Sequence, residues 1–130
     1  MAKSIIQEKS FSFALEMIEP FKQLQAEREF GLSKQLLRSG TSIGANVEEA
    51  LAGQSRKDFM AKMAVASKEA REARYWLVLL QKSKLTKNEL NPALRDVDEL
   101  IRILTSIVKT TAETPATQNS KFKIQNSGVA

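Results

Sequence analysis

Residues 54–87 carry nine basic side chains against three acidic ones, more than the whole surplus of a chain whose net charge is +5. Within this segment, Arg56, Lys57, Lys68, Arg71, Arg74 and Lys82 fall in a stretch, SRKDFMAKMAVASKEAREARYWLVLLQK, that contains neither Gly nor Pro. At 100° per residue, Lys57, Lys68 and Lys82 lie within about 40° of one direction, with Arg71 beside them and Arg56 and Arg74 on one flank. Asp58, Glu69 and Glu72 gather on the other flank. A face of one charge sign suits phosphate, and the chemistry it offers is electrostatic binding of a nucleic-acid backbone. The same face would also be served by water alone or by an acidic protein.

Other chemistry has less support. The chain has no His and no Cys, so the commonest general base, the commonest metal ligand and every thiolate reaction are missing. Helical bundles house di-iron sites on Glu and Glu-x-x-His, and without His Glu69 and Glu72 cannot complete that set. Their neighbours Lys68, Arg71 and Arg74 make a solvated, salt-bridged face the better reading. Ser39, Thr41 and Ser42 have no base to activate them. Gly40 and Gly44 lack the Lys-Ser/Thr that follows the glycines of a phosphate loop and read as packing glycines. The expectation is a non-enzymatic protein with no cofactor and no metal.

The element that must carry the basic face is the helix of residues 55–82. Phe59, Met63, Ala66, Ala70, Ala73, Leu77 and Leu80 follow at alternating steps of four and three, an apolar stripe along a helix of roughly 40 Å. Ser55 or Gln54 caps it, and it ends near Ser83. Residues 1–9 read as a flexible lead-in. Ser10 reads as the N-cap of a first helix to about Arg28, with Phe11, Leu15, Ile18 and Phe21 as its apolar face and Pro20 bending or splitting it. Gly31 breaks the chain before a second helix from about Leu32 to Ala52, closed by Gly53. Its two adjoining stripes are Leu32, Leu36, Ser39, Ile43, Asn46, Ala50 and Ser33, Leu37, Gly40, Gly44, Val47, Leu51. The small residues fit close approach by a neighbouring helix, with a loop at Gly40 as the competing reading, and the Asn46 amide is expected to bond another helix. Thr86 or Asn88 opens a fourth helix to Thr111, with Pro92 in its first turn and Leu90, Leu94, Val97, Ile101, Leu104 and Val108 as its stripe. Residues 112–130 are polar and aperiodic and read as a disordered tail.

These elements make an all-α antiparallel up-down four-helix bundle over residues 10–111. No apolar run is long enough to span a membrane, and the first residues lack a signal-peptide core. With no Cys, a reducing cytoplasm is the expected location. Residues 75–80 are apolar all round the helix, which one bundle core does not require. Tyr75, Trp76, Val78 and Leu79 are therefore the expected contact with another subunit.

The segments LLRSGTSIGANVEEA and QSRKDFMAKMAVASKEAREARYWL resemble the four-helix-bundle family of 23S rRNA intervening-sequence proteins. Ser42, Ile43, Ala45, Asn46, Glu49, Ser55 and Phe59 fit that family's pattern, while Glu48-Glu49-Ala50 departs from the Ala-Glu-Gly of many members. The resemblance spans about residues 10–110. It implies an antiparallel bundle without established enzymatic activity. By similarity to the accessory variability protein of diversity-generating retroelements, it also implies a homopentameric ring with a basic surface. Two functions follow as expectations. One is an oligomer that binds RNA or DNA non-specifically; the other is a structural or protein-interaction module whose basic face meets an acidic protein.

Overall fold

The computed structural model describes residues 4–113. Helix α1 spans Ile5–Ala26, α2 Phe30–Leu51, α3 Arg56–Ser83 and α4 Asn91–Glu113, with no strand among the described residues. Each helix packs on its sequence neighbours and α4 returns to α1, leaving α1 and α3 on a diagonal. With connections this short, consecutive helices must reverse direction. The result is the antiparallel up-down four-helix bundle that the apolar spacing implies.

In α3 the buried residues are Phe59, Met63, Ala66, Ala70, Ala73, Leu77 and Leu80, the whole expected stripe and nothing else. Ser55 Oγ accepts a 3.0 Å bond from the Asp58 N–H and caps the helix, which satisfies one of its free amide groups. Lys84 ends it in the left-handed conformation, with φ 58°.

Helix α2 is continuous through Gly40 and Gly44, so the loop reading at Gly40 is excluded. Gly31 sits in its first turn and does not break the chain. The reversal falls earlier, at Arg28, whose φ of 65° lets Glu29 N–H reach the Leu24 carbonyl at 2.8 Å, a Schellman-like closure. Asn46 also corrects the expectation: its amide donates to Ser42 O on its own helix at 2.9 Å.

Helix α1 departs most from the sequence reading. It begins after Ser4, whose hydroxyl accepts from Gln7 N–H. Residues 5–9 are therefore helical and do not form a lead-in; residues 1–3 lie outside the described residues. Ser10 is buried inside the helix and donates to Gln7 O. Pro20 does not split α1, which runs on to Ala26.

The buried face of α1 is Ile6, Ser10, Phe13, Met17, Pro20 and Leu24. Phe11 and Leu15 are 63% and 59% exposed and Ile18 is exposed too, while Phe21 is half-buried. The glycines of α2 explain this rotation. A Cβ at Gly40 would lie 2.6 Å from Met17 Cγ, and one at Gly44 would lie 3.4 Å from the Ser10 carbonyl oxygen. Met17 and Ser10 therefore occupy the depressions that those glycines leave.

Helix α4 opens at Asn91, whose N–H donates to Glu89 Oε1 at 2.9 Å; Thr86 and Asn88 belong to the connection, where Thr86 Oγ1 accepts from Asn88 N–H. Pro92 stands in the first turn, and Ala93, Val97, Leu100, Leu104 and Thr111 are buried. The helix continues to Glu113, so the expected tail loses its first two residues to α4 and the rest, from residue 114, lies outside the described residues.

The α1–α4 seam is the thinnest in the bundle. Lys9 and Glu99 pair across it at 3.0 Å. Burial in the seam, a hydrogen bond with Asp96 and the Asp96 charge together push the Glu16 carboxyl up to about 7.

Two predictions follow from this packing. Gly44→Ala should hold or raise the melting temperature, gaining up to about 1 kcal/mol of helix propensity. Gly40→Ala should lower it, since overpacking against Met17 costs about 1–3 kcal/mol. Equal effects in thermal melts would contradict the close approach at Gly40. The folded state also holds a proton on Glu16 that the unfolded chain releases near pH 4.5, so this group's stabilisation is lost as pH rises from there to about 7. Glu16→Gln, neutral throughout, should gain stability relative to the native chain across that window and hold the gain above it. Melts from pH 4.5 to 8 check this, and a pH-independent difference would refute it.

Candidate nucleic-acid interface

Because the α3 stripe is wholly buried, the rotation of this helix is fixed and the opposite face must point outward. Lys57, Lys68, Arg71 and Lys82 are exposed there. Lys57, Lys68 and Lys82 enter no ion pair among the described residues. Arg71 reaches sideways, with Nη2 donating to Thr105 Oγ1 of α4 at 3.1 Å.

The two flanking arginines do different work. Arg74 Nε donates to Asp98 Oδ1 at 2.7 Å, pairing α3 with α4. Arg56 is half-buried, and its Nη2 donates to the Thr111 carbonyl at 2.7 Å, where a cation meets the negative end of the α4 dipole. Both charges are committed within the chain, which leaves four of the six candidates facing solvent freely enough to meet a ligand.

The carboxylates turn the other way. Arg38 of α2 bonds both Glu69 oxygens, at 3.2 and 3.3 Å, and also pairs with Glu72 Oε2. Trp76 Nε1–H donates to the same Glu72 oxygen at 3.0 Å. Glu69 and Glu72 therefore bind a partner on α2 in place of Lys68, Arg71 or Arg74. The outer face of α3 keeps its positive sign because these acids are drawn into the α2–α3 seam.

The structure separates the four expected interface residues. Tyr75 is 60% exposed and Leu79 is exposed as well. Trp76 packs against the core and meets Tyr75 edge-on at 5.1 Å, and Val78 is half-buried. The larger exposed apolar row is on α1, formed by Phe11, Leu15 and Ile18.

One group of cations escaped the sequence reading. Arg95, Arg102 and Lys109 are exposed on α4 at intervals of seven residues, which places them along one side of the helix. Residues 88–111 hold three basic and four acidic side chains, and that balance conceals the row. The fold turns the acids elsewhere: Asp98 to Arg74, Glu99 to Lys9, Asp96 to Glu16 and Glu89 to the Asn91 N–H. The seven-residue interval was the available signal.

Among the described residues no cluster of three or more acidic side chains is placed to hold a metal ion, and no helix is long and apolar enough to cross a membrane. The family model for the 23S rRNA-intervening sequence protein matches residues 2–125. The chain belongs to that family. A similar solved structure, a protein of unknown function from the S23 ribosomal protein family of Bacteroides thetaiotaomicron, is 43% identical with a TM-score of 0.76. The alignment covers 81% of this chain and 99% of that one. No match is found among curated proteins. The intervening-sequence family thus accounts for the four-helix fold and for nearly the whole chain.

Proposed function

We propose that this chain is a non-enzymatic, oligomeric protein that binds nucleic acid through the outer face of α3. The observation that carries the reading is the separation of charge across that helix. Glu69 and Glu72 are held by Arg38 on the α2 side, while Lys57, Lys68, Arg71 and Lys82 face outward. A membership in a family named for an rRNA intervening sequence supports a nucleic-acid partner. Phosphate contacts of this kind give weak sequence selectivity and steep salt dependence.

Self-assembly through the last turns of α3, where Tyr75 and Leu79 share the outer face with Lys82, would cover that end and multiply the part of the face held by Lys57, Lys68 and Arg71. The apolar row Phe11, Leu15, Ile18 on α1 and the pair Tyr75, Leu79 on α3 lie on helices across the bundle diagonal. Contact between two unlike patches is heterologous and builds a closed ring or a filament; the family resemblance favours a ring of five. Light scattering at micromolar concentration should then give a mass well above 14.5 kDa. Leu15→Glu should lower that mass while leaving helicity intact, and a native chain that is already monomeric would overturn the assembly.

Nucleic-acid binding is tested by fluorescence anisotropy with a structured RNA and a duplex DNA, at low and at physiological salt. Binding should weaken steeply with salt and change little with sequence. Lys57→Glu with Lys68→Glu should weaken it at least tenfold on every probe, with circular dichroism unchanged. A native protein that binds neither probe at micromolar concentration in low salt would refute the reading and leave an acidic protein as the partner for this face.

A further inference from the structure

The outer surfaces of α3 and α4 meet in an open groove of about 290 Å³, lined by Ala64, Ser67, Arg71, Thr105, Val108 and Lys109. Ser67 and Arg71 are one turn apart on α3, and Thr105 and Lys109 one turn apart on α4, so each wall presents a hydroxyl and a cation. No carboxylate is among these residues. Arg71 is already held across the groove by its 3.1 Å bond to Thr105 Oγ1. That bond engages Nη2 and leaves the other face of the guanidinium fork to a ligand. Thr105 Oγ1 accepts from Arg71, so its own O–H can still donate to a ligand. Ala64 and Val108 supply apolar wall.

This combination suits a particular ligand. Two cations and two hydroxyls form a donor set with no competing acceptor carboxylate, as a phosphate oxygen cluster requires. The volume stands at the small end of ligand pockets, and the apolar wall offers contact to a sugar that a bare inorganic anion would leave unused. The groove also does not stand alone. Lys68 continues the positive surface on α3, and Arg102 and Arg95 continue it on α4 at steps of about 10 Å from Lys109.

We propose that the α3–α4 groove seats one nucleotide unit of a bound nucleic-acid strand, with Arg71 and Lys109 on its phosphate, and that Arg102 and Arg95 guide the strand along α4. This rests on the reading of the protein as a nucleic-acid binder and extends it from one helix to the surface shared by two. Ser67 and Thr105 donate to phosphate oxygens, and Arg71 is the residue common to both faces.

The test compares two double charge reversals in the full chain, using the RNA and duplex DNA probes in low salt. Arg102→Glu with Lys109→Glu reverses two of the three cations of the α4 row. Lys84→Glu with Lys87→Glu makes the same change in net charge in the connection between α3 and α4, away from the groove. The first pair should weaken binding at least tenfold and reduce the salt slope by about 2; the second should change affinity no more than threefold. Thr105→Val, which keeps the shape and removes the hydroxyl, should weaken binding several-fold with an unchanged melt. If both reversals weaken binding equally, only the general charge matters and the groove is not a site, although the protein still binds nucleic acid. If the native chain binds neither probe, the proposed function fails and the groove proposal with it. Far-ultraviolet circular dichroism of each variant keeps a folding defect from passing as a binding defect, and Arg102→Gln with Lys109→Gln, expected to show a smaller loss in the same direction, replaces any reversal that unfolds.

Discussion

The constraint on which the structure depends is the complete burial of one heptad stripe on α3. Its centre is Ala66, Ala70 and Ala73, all without exposed surface, so neighbouring backbones can come close to the helix there. Larger residues, Phe59 and Met63 at one end and Leu77 and Leu80 at the other, fill the space where neighbours stand further away. A helix held along 28 residues in this way has no rotational freedom left. Its outward face is then a consequence of its buried one, and the lysines on that face need no interaction of their own to be displayed.

Charge sorting follows from the same geometry. The flanks of α3 lie against α2 and α4, and each flank carries groups that find an opposite partner there: Glu69 and Glu72 with Arg38, Lys62 with Glu49, Arg74 with Asp98. These pairs are at least partly solvated, so each contributes little to stability. Their larger effect is on the surface potential. Acids that would have neutralised the outer face are consumed in the seams, and the acids of α4 are consumed likewise, which leaves a basic surface on two adjacent helices from a chain of modest net charge.

The buried polar groups show how a bundle tolerates small residues. Ser10, Ser33, Ser39 and Thr111 are almost fully buried, and each hydroxyl donates to a carbonyl of its own helix. That satisfies each donor within its own helix, Ser33 Oγ also accepting from Gln25 Nε2 of α1 at 2.9 Å, and lets a small side chain sit at a close contact. Glu16 is the exception among the core-flanking groups. Its environment in the α1–α4 seam favours the protonated acid, so the thinnest seam of the bundle is also a pH-sensitive one.

The helix count, the fold class, the extent of α3 and every residue of its buried face follow from the spacing of apolar residues along the chain. Periodicity suffices where a helix has one apolar stripe and polar residues elsewhere, because burial then has a single solution. Helix α1 has two apolar rows, Ile6, Phe13, Met17, Leu24 and Phe11, Leu15, Ile18, and periodicity cannot rank them. The choice was made by α2, where Gly40 admits Met17 and Gly44 lies against Ser10. The basic face of α3 was legible because its outward direction follows from its own stripe. The commitment of Arg56 to the Thr111 carbonyl and of Arg74 to Asp98 was not, nor was the row on α4. Those outcomes depend on which residues of other helices stand opposite, a matter of packing between segments far apart in the chain, and only the tertiary structure decides it.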